Sequence, residues 1–267
     1  MSDDPRADLE DVGIDGYVEF EFDLPRALLG RLIEAFVEVT AASLDQSNTF
    51  AIPDEQGVYQ LFLDNRLVYI GKTDGDAGLK SRLSRHAKKL LHRHGLDPTR
   101  VSFKAVRVFV FTAVDLEGDL IRHYGGVKAV DWNGSGFGSN DPGKERDTSK
   151  VKSDHFDAKF PIDLDRTLDI SVKEGETAAE TLLRLKSVLP YALRYQNAGG
   201  NWRNAHPDLA RSTLTYLKGP LTARSVLQHI ASCLPHGWHI TALLGYVIMY
   251  KDDKRSFPSG AVVALSP

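Results

Sequence analysis

The chain has 267 residues, 42% of them hydrophobic and 26% charged, with a formal net charge of −3. That is enough apolar material for one large domain or two small ones, and it excludes a disordered chain. The single cysteine, Cys233, excludes an intramolecular disulfide and a zinc site built on several thiolates, and it reads as a buried helix residue. Residues 1–11 are acidic and polar, unlike a secretory or transit signal, and the longest apolar run, 240–250, is too short to cross a bilayer and reads as a buried strand. A cytoplasmic protein is therefore expected.

Residues 17–22 alternate (Tyr-Val-Glu-Phe-Glu-Phe) and predict a short strand. Pro25 opens an apolar-periodic helix through Leu28, Leu29, Leu32, Ile33, Phe36 and Val37, and a polar segment, 43–56, follows it. Residues 57–63 and 67–71 are β-rich runs joined by Asp64, Asn65 and Arg66, a hairpin signal. A helix is predicted over 78–94, with Leu79, Leu83, Leu90 and Leu91 facing inward. Residues 102–112 carry Val106, Val108 and Val110 on one face and Phe103, Phe109 and Phe111 on the other, the pattern of a central strand. Another helix is predicted over 114–124, and the glycine-rich segment 132–143 has no apolar period and reads as loop.

Composition changes near 149–160. Beyond it come a helix over 177–187, a polar aromatic stretch over 191–206, a helix over 222–234 and a final strand pair, 239–250 and 261–265. The expected organisation is a strand–helix arm (1–50), a central domain (51–150) and a C-terminal α+β unit (151–267), an α/β chain of α+β type.

Charge is uneven. Residues 72–107 hold five lysines and five arginines against three aspartates, with three histidines besides. Such a stretch suits either a phosphate-binding face or a solvated helix face. Lys80, Arg85, Lys88 and Lys89 are its candidate phosphate contacts. His86, His92 and His94 have no cysteine or carboxylate companions at ligand spacing and read as surface histidines. The segment Gly134-Ser-Gly-Phe-Gly lacks the strand-to-helix context of a dinucleotide fingerprint. Farther on, Arg194, Trp202 and Arg203 lie in an aromatic, guanidinium-rich stretch suited to base-edge and phosphate contacts or to a protein interface.

Several chemistry-bearing residues fall in the order hairpin, helix, strand, helix. The hairpin supplies Gly57-Val58-Tyr59 and Tyr69-Ile70-Gly71-Lys72. The next helix supplies Arg82 and His86, four apart and so on one face. The following helix supplies Glu117, and Trp132-Asn133 leads into the glycine-rich loop. In this set and order the sequence resembles the GIY-YIG superfamily of endonucleases over about residues 57–147. The run from Trp132-Asn133 through Gly-Phe-Gly-Ser-Asn-Asp-Pro-Gly-Lys-Glu-Arg-Asp resembles the type II restriction branch.

The resemblance implies a core of a small antiparallel three-stranded sheet flanked by helices. It implies a Mg²⁺-dependent endodeoxyribonuclease, with Mn²⁺ a possible substitute, acting on double-stranded DNA as a homodimer and accompanied by a DNA methyltransferase. The same core serves nucleases of mobile elements, repair and other defence systems, and a module that binds DNA without cutting is a third reading. Tyr59, Tyr69, Lys72, Arg82, His86, Glu117 and Asn133 are the implied catalytic set, with Glu117 the metal ligand. Mg²⁺ is commonly held by one carboxylate plus water and substrate oxygens, and Arg82 offers a fork of donors to a phosphate oxygen. A phenol is a poor base at neutral pH unless nearby cations, here Lys72 and Arg82, favour the phenolate. The resemblance leaves open whether Tyr59 or Tyr69 takes the proton and whether Lys72 shares the task. Tyr59 is favoured, with His86 hydrogen-bonded in its network and Asn133 fixing the loop or orienting a phosphate-side group. The C-terminal unit is expected to choose the DNA site or to build the dimer.

Overall fold

The computed structural model describes residues 16–17, 23–73, 77–109, 115–139, 143–198 and 205–267. The first half contains helix α1 (Leu24–Glu38), strand β1 (Ala42–Ser43), helix α2 (Gln46–Phe50), strands β2 (Gly57–Leu63) and β3 (Arg66–Lys72), helix α3 (Leu79–Leu90), strand β4 (Val101–Arg107) and helix α4 (Leu116–His123). The second contains α5 (Phe156–Lys159), β5 (Thr167–Leu168), α6 (Ala178–Val188), β6 (Ala192–Tyr195), α7 (Pro207–Arg211), β7 (Leu221–Thr222), α8 (Ala223–Cys233), β8 (Trp238–Leu243), β9 (Tyr246–Lys251) and β10 (Gly260–Leu265). The chain is thus a mixture of helices and largely antiparallel sheets, the α+β class. Among the described residues no helix is long and apolar enough to cross a membrane.

The first sheet has the order β1-β4-β2-β3, with every pair antiparallel. The sheet has four strands where the resemblance implies three. The fourth, β1, arises where Ala42 and Ser43, at the start of the polar segment, lie along the edge of β4, and Leu44 N–H donates to Val101 C=O at 2.9 Å. Asp64 and Asn65 both have positive φ, 51° and 64°, and Leu63 pairs with Arg66. The hairpin therefore closes through two residues whose short polar side chains tolerate the left-handed region.

Side chains alternate across this sheet. Tyr59, Leu61 and Tyr69 pack with Leu79, Leu83 and Leu90 of α3. Val58 and Ile70 pack on the opposite face with Leu32 and Phe36 of α1 and Leu116 and Leu120 of α4. Helix α3 stops at Leu90, four residues before its expected end, where the chain turns through His92 at φ 52° and Gly95 at φ 72°. Leu91 is consequently outside the helix and 43% exposed rather than inward. Strand β4 is internal, as its apolar faces predict, but ends at Arg107. Phe109 is 81% exposed, with the Arg107 guanidinium 4.4 Å from its ring centroid. Val110, Phe111 and the strand expected over 18–22 lie outside the described residues.

A second core holds residues between Ile162 and Val263. Its sheet has the order β10-β8-β9-β6, with β6 parallel to β9 and the other pairs antiparallel. The apolar run 239–250 is two strands joined at Leu244 and Gly245, so the expected final pair is three antiparallel strands, with β8 lying between β9 and β10. Helices α6 and α8 cover it, each opened by a capping box, at Thr177 with Glu180 and at Thr222 with Ser225. Cys233 closes α8 half-buried rather than in the core.

Candidate active site

Tyr59 sits on β2 directly opposite Gly71 on β3, and Tyr69 opposite Leu61. Partners across an antiparallel pair share a face, so both phenols turn toward α3. Their ring centroids are 6.1 Å apart. His86 reaches up from α3, and its Nε2 lies 2.8 Å from the Tyr59 hydroxyl. Its ring is 5.3 Å from that of Tyr69 and edge-on to it. All three side chains are at most 9% exposed.

Two glycines make this packing possible. A Cβ on Gly71 would stand 2.5 Å from Cζ and the hydroxyl of Tyr59 and 2.8 Å from Tyr69 Cε1. A Cβ on Gly138 would stand 2.4 Å from the Tyr69 hydroxyl. Neither glycine is needed for its dihedrals; each is needed for space.

Asn133 is buried and works on the backbone. Its Oδ1 accepts from Ile70 N–H and its Nδ2 donates to Ile70 C=O, both at 2.8 Å. Trp132 N–H donates to Val68 C=O at 2.8 Å. The loop thereby satisfies the outer edge of β3 as a neighbouring strand would, and it fixes Ile70 between Tyr69 and Gly71. Phe137 of the same loop stacks on His86 at 4.7 Å between centroids and meets Tyr69 edge-on at 5.1 Å.

Charged groups neighbour the two phenols: Arg82, Arg85 and Glu117 act on both. Glu117 lies in the first turn of α4, whose N-cap is Asp115. Desolvation pushes the Glu117 carboxyl above its ordinary pKa, while the charges of Lys72 and Arg82 and the Lys72 backbone N–H hold it down. The Lys72 ammonium lies 3.4 Å from Asp115 Oδ1. Burial pushes both tyrosines up, and Arg82 opposes that shift in each. Arg82 thus acts on both phenols in the expected direction, toward the phenolate, and loss of solvent outweighs it. Burial, then the neighbouring Arg85, Lys89 and Arg82, lowers His86 to about 3, so the imidazole is neutral. Among the described residues no group of three or more His, Cys, Asp and Glu gathers to hold a metal.

The candidate DNA contacts part company. Arg85 and Lys88 are exposed on α3, and Lys80 packs its ammonium over the Phe50 ring at 4.6 Å. Lys89 points inward, to the carbonyls of the glycine-rich loop. Arg194 is paired with Asp147 and lies over the Tyr246 ring at 4.6 Å. Trp202 and Arg203 lie outside the described residues.

Asp147 itself was not singled out in the sequence. It is fully buried and accepts from Tyr246 Oη at 2.9 Å and Tyr250 Oη at 3.0 Å as well as from Arg194. Phe137 was also passed over; its one available signal is a lone aromatic flanked by small residues, Ser135-Gly136 and Gly138-Ser139. No known protein family matches the chain, and no curated protein matches it.

Proposed function

We propose that the chain is a Mg²⁺-dependent endodeoxyribonuclease with a GIY-YIG core, acting as a type II restriction enzyme. The observation that carries this reading is the convergence of Tyr59 and Tyr69 from a hairpin with His86 from α3, beside the charges of Arg82 and Glu117. Phosphodiester hydrolysis requires a nucleophilic water, stabilised phosphoryl oxygens and help for the leaving 3′ oxygen.

Glu117 is the residue to hold the metal. A single partly desolvated carboxylate is a hard oxygen donor, suited to an ion that keeps most of its water and takes its other ligands from substrate. When bound, Mg²⁺ (or Mn²⁺) supplies charge stabilisation on the phosphoryl and leaving oxygens. Arg82 presents its guanidinium to a non-bridging oxygen. The Tyr59 oxygen takes a proton from the attacking water as its own proton passes to Nε2 of His86. That exchange avoids a free phenolate, which burial disfavours. It uses the neutral imidazole in the tautomer whose Nε2 is unprotonated. The cations that disfavour imidazolium, Arg85 and Arg82, are offset when DNA phosphates approach them.

Cutting both strands of a palindrome needs a second copy in a two-fold dimer, and host DNA then needs a protecting methyltransferase. The C-terminal unit is the proposed source of site choice or dimer contacts. With Arg194 engaged by Asp147, base reading falls to the segment around Trp202 and Arg203. Incubating the protein with unmethylated phage DNA and Mg²⁺ tests the reading. Discrete fragments support it; no cutting of duplex, branched or modified DNA with either Mg²⁺ or Mn²⁺ contradicts it.

A further inference from the structure

Lys89 lies on α3 one turn beyond His86, and its ammonium sits among backbone carbonyls. Phe137 C=O accepts at 2.6 Å, Gly136 C=O at 3.1 Å and Ser139 C=O at 3.3 Å. An ammonium is a compact charge with three donors, and here three acceptors meet it. The Phe137 and Phe156 rings flank it at 5.5 Å and 5.8 Å.

The segment it grips is the one that closes on the tyrosine–histidine cluster. Phe137 stacks on His86, and Gly138 abuts the Tyr69 hydroxyl. A loop with glycines at 134, 136 and 138 has few side chains of its own to hold it and a large backbone entropy to lose on ordering. A cation that binds its carbonyls directly does what those side chains do not. Burial also lowers the Lys89 ammonium, to about 8, with Asp157 acting to keep it charged.

We propose that Lys89 is a positioning residue that latches the 134–139 loop over the site, fixing His86 and Tyr69 through Phe137 and Gly138, instead of contacting DNA. The kinetic consequence rests on the nuclease reading; the geometric consequence does not.

The test uses the full chain with Lys89→Met and Lys89→Gln, and it reads two quantities. The first is the split between kcat and KM for DNA cutting. Misplacement of reacting groups by about 1 Å costs on the order of 10²-fold, so K89M should lose kcat by about that factor with KM changed less than about twofold. The second is the His86 ring in an NMR titration. In the parent it stays neutral across pH 5–8; in K89M, which loses both the Lys89 charge and the hold on Phe137, its midpoint should move up toward the ordinary value of 6.5, and by more than in K89Q, which loses the same charge but keeps two donors. On both readings K89Q should fall between. A folded K89M with unchanged kcat and a silent His86, or one that raises KM alone, overturns the latch. If K89M does not fold, K89Q decides by the same two readings. If the parent does not cut DNA, the nuclease reading falls and the His86 titration alone decides.

Discussion

The Tyr59 hydroxyl and His86 Nε2 are 2.8 Å apart, between two buried side chains 27 residues apart in sequence. This pairing separates two phenols that look alike in the sequence. Tyr59 has the imidazole beside it, whereas the Tyr69 hydroxyl faces Gly138 and is hydrogen-bonded to Tyr59. Tyr59→Phe should lower kcat by about 10²–10⁴-fold, the usual worth of general acid–base help. Tyr69→Phe should cost less, because its packing survives. Single-turnover cleavage of a DNA containing the site measures both, and equal losses would remove the special role of Tyr59.

Gly71→Ala should leave the fold intact and damage the site. The added methyl group meets the Tyr59 ring at 2.5 Å, and a buried ring in a close-packed core cannot step aside without disturbing His86. We expect a loss of kcat on the order of 10²-fold, with a circular dichroism spectrum like that of the parent. Activity within twofold of the parent would show that the close approach of Tyr59 to β3 is dispensable.

Asn133→Ala removes two hydrogen bonds to Ile70 at once and leaves a buried backbone donor and acceptor at the edge of β3. Leaving buried polar groups unpaired costs about 1–3 kcal/mol each. Urea unfolding should therefore report a loss of roughly 2–4 kcal/mol, larger than for an exposed loop asparagine. A change below about 0.5 kcal/mol would mean that solvent replaces the amide easily.

His86 links the site to pH stability. Its folded pKa is depressed to about 3 from an ordinary 6.5, so the unfolded chain binds the extra proton in that interval. The sign follows: the neutral buried ring is fully compatible with folding above about pH 6.5, and stability is lost as pH falls through the window toward 3. His86→Phe should flatten that acid limb in a series of melting temperatures from pH 7 to pH 4. An acid limb of unchanged steepness would place the destabilising protons on other groups.

The parts of this arrangement that were legible in the sequence are those set by local pattern. The hairpin declares itself through β-rich runs around Asp64-Asn65, and the i, i+4 spacing of Arg82 and His86 puts them on one helix face. What stayed hidden depends on distant chain. Lys89 reads as one more surface cation because the carbonyls that surround it lie 47 to 50 residues away. Asp147 stands in a charged run, Lys-Glu-Arg-Asp, and its burial is decided by Arg194, Tyr246 and Tyr250. The two-residue β1 is too short to carry a period of its own, and the turn at Leu244-Gly245 is masked by the apolar residues on either side.

The most direct test of the account is cleavage of unmethylated phage DNA by the parent protein and by Glu117→Ala, each with Mg²⁺ and with a chelator. Discrete fragments that require Mg²⁺ and disappear in Glu117→Ala, while DNA binding persists, are expected. Fragments of equal intensity from Glu117→Ala, or cutting that survives the chelator, would contradict the account.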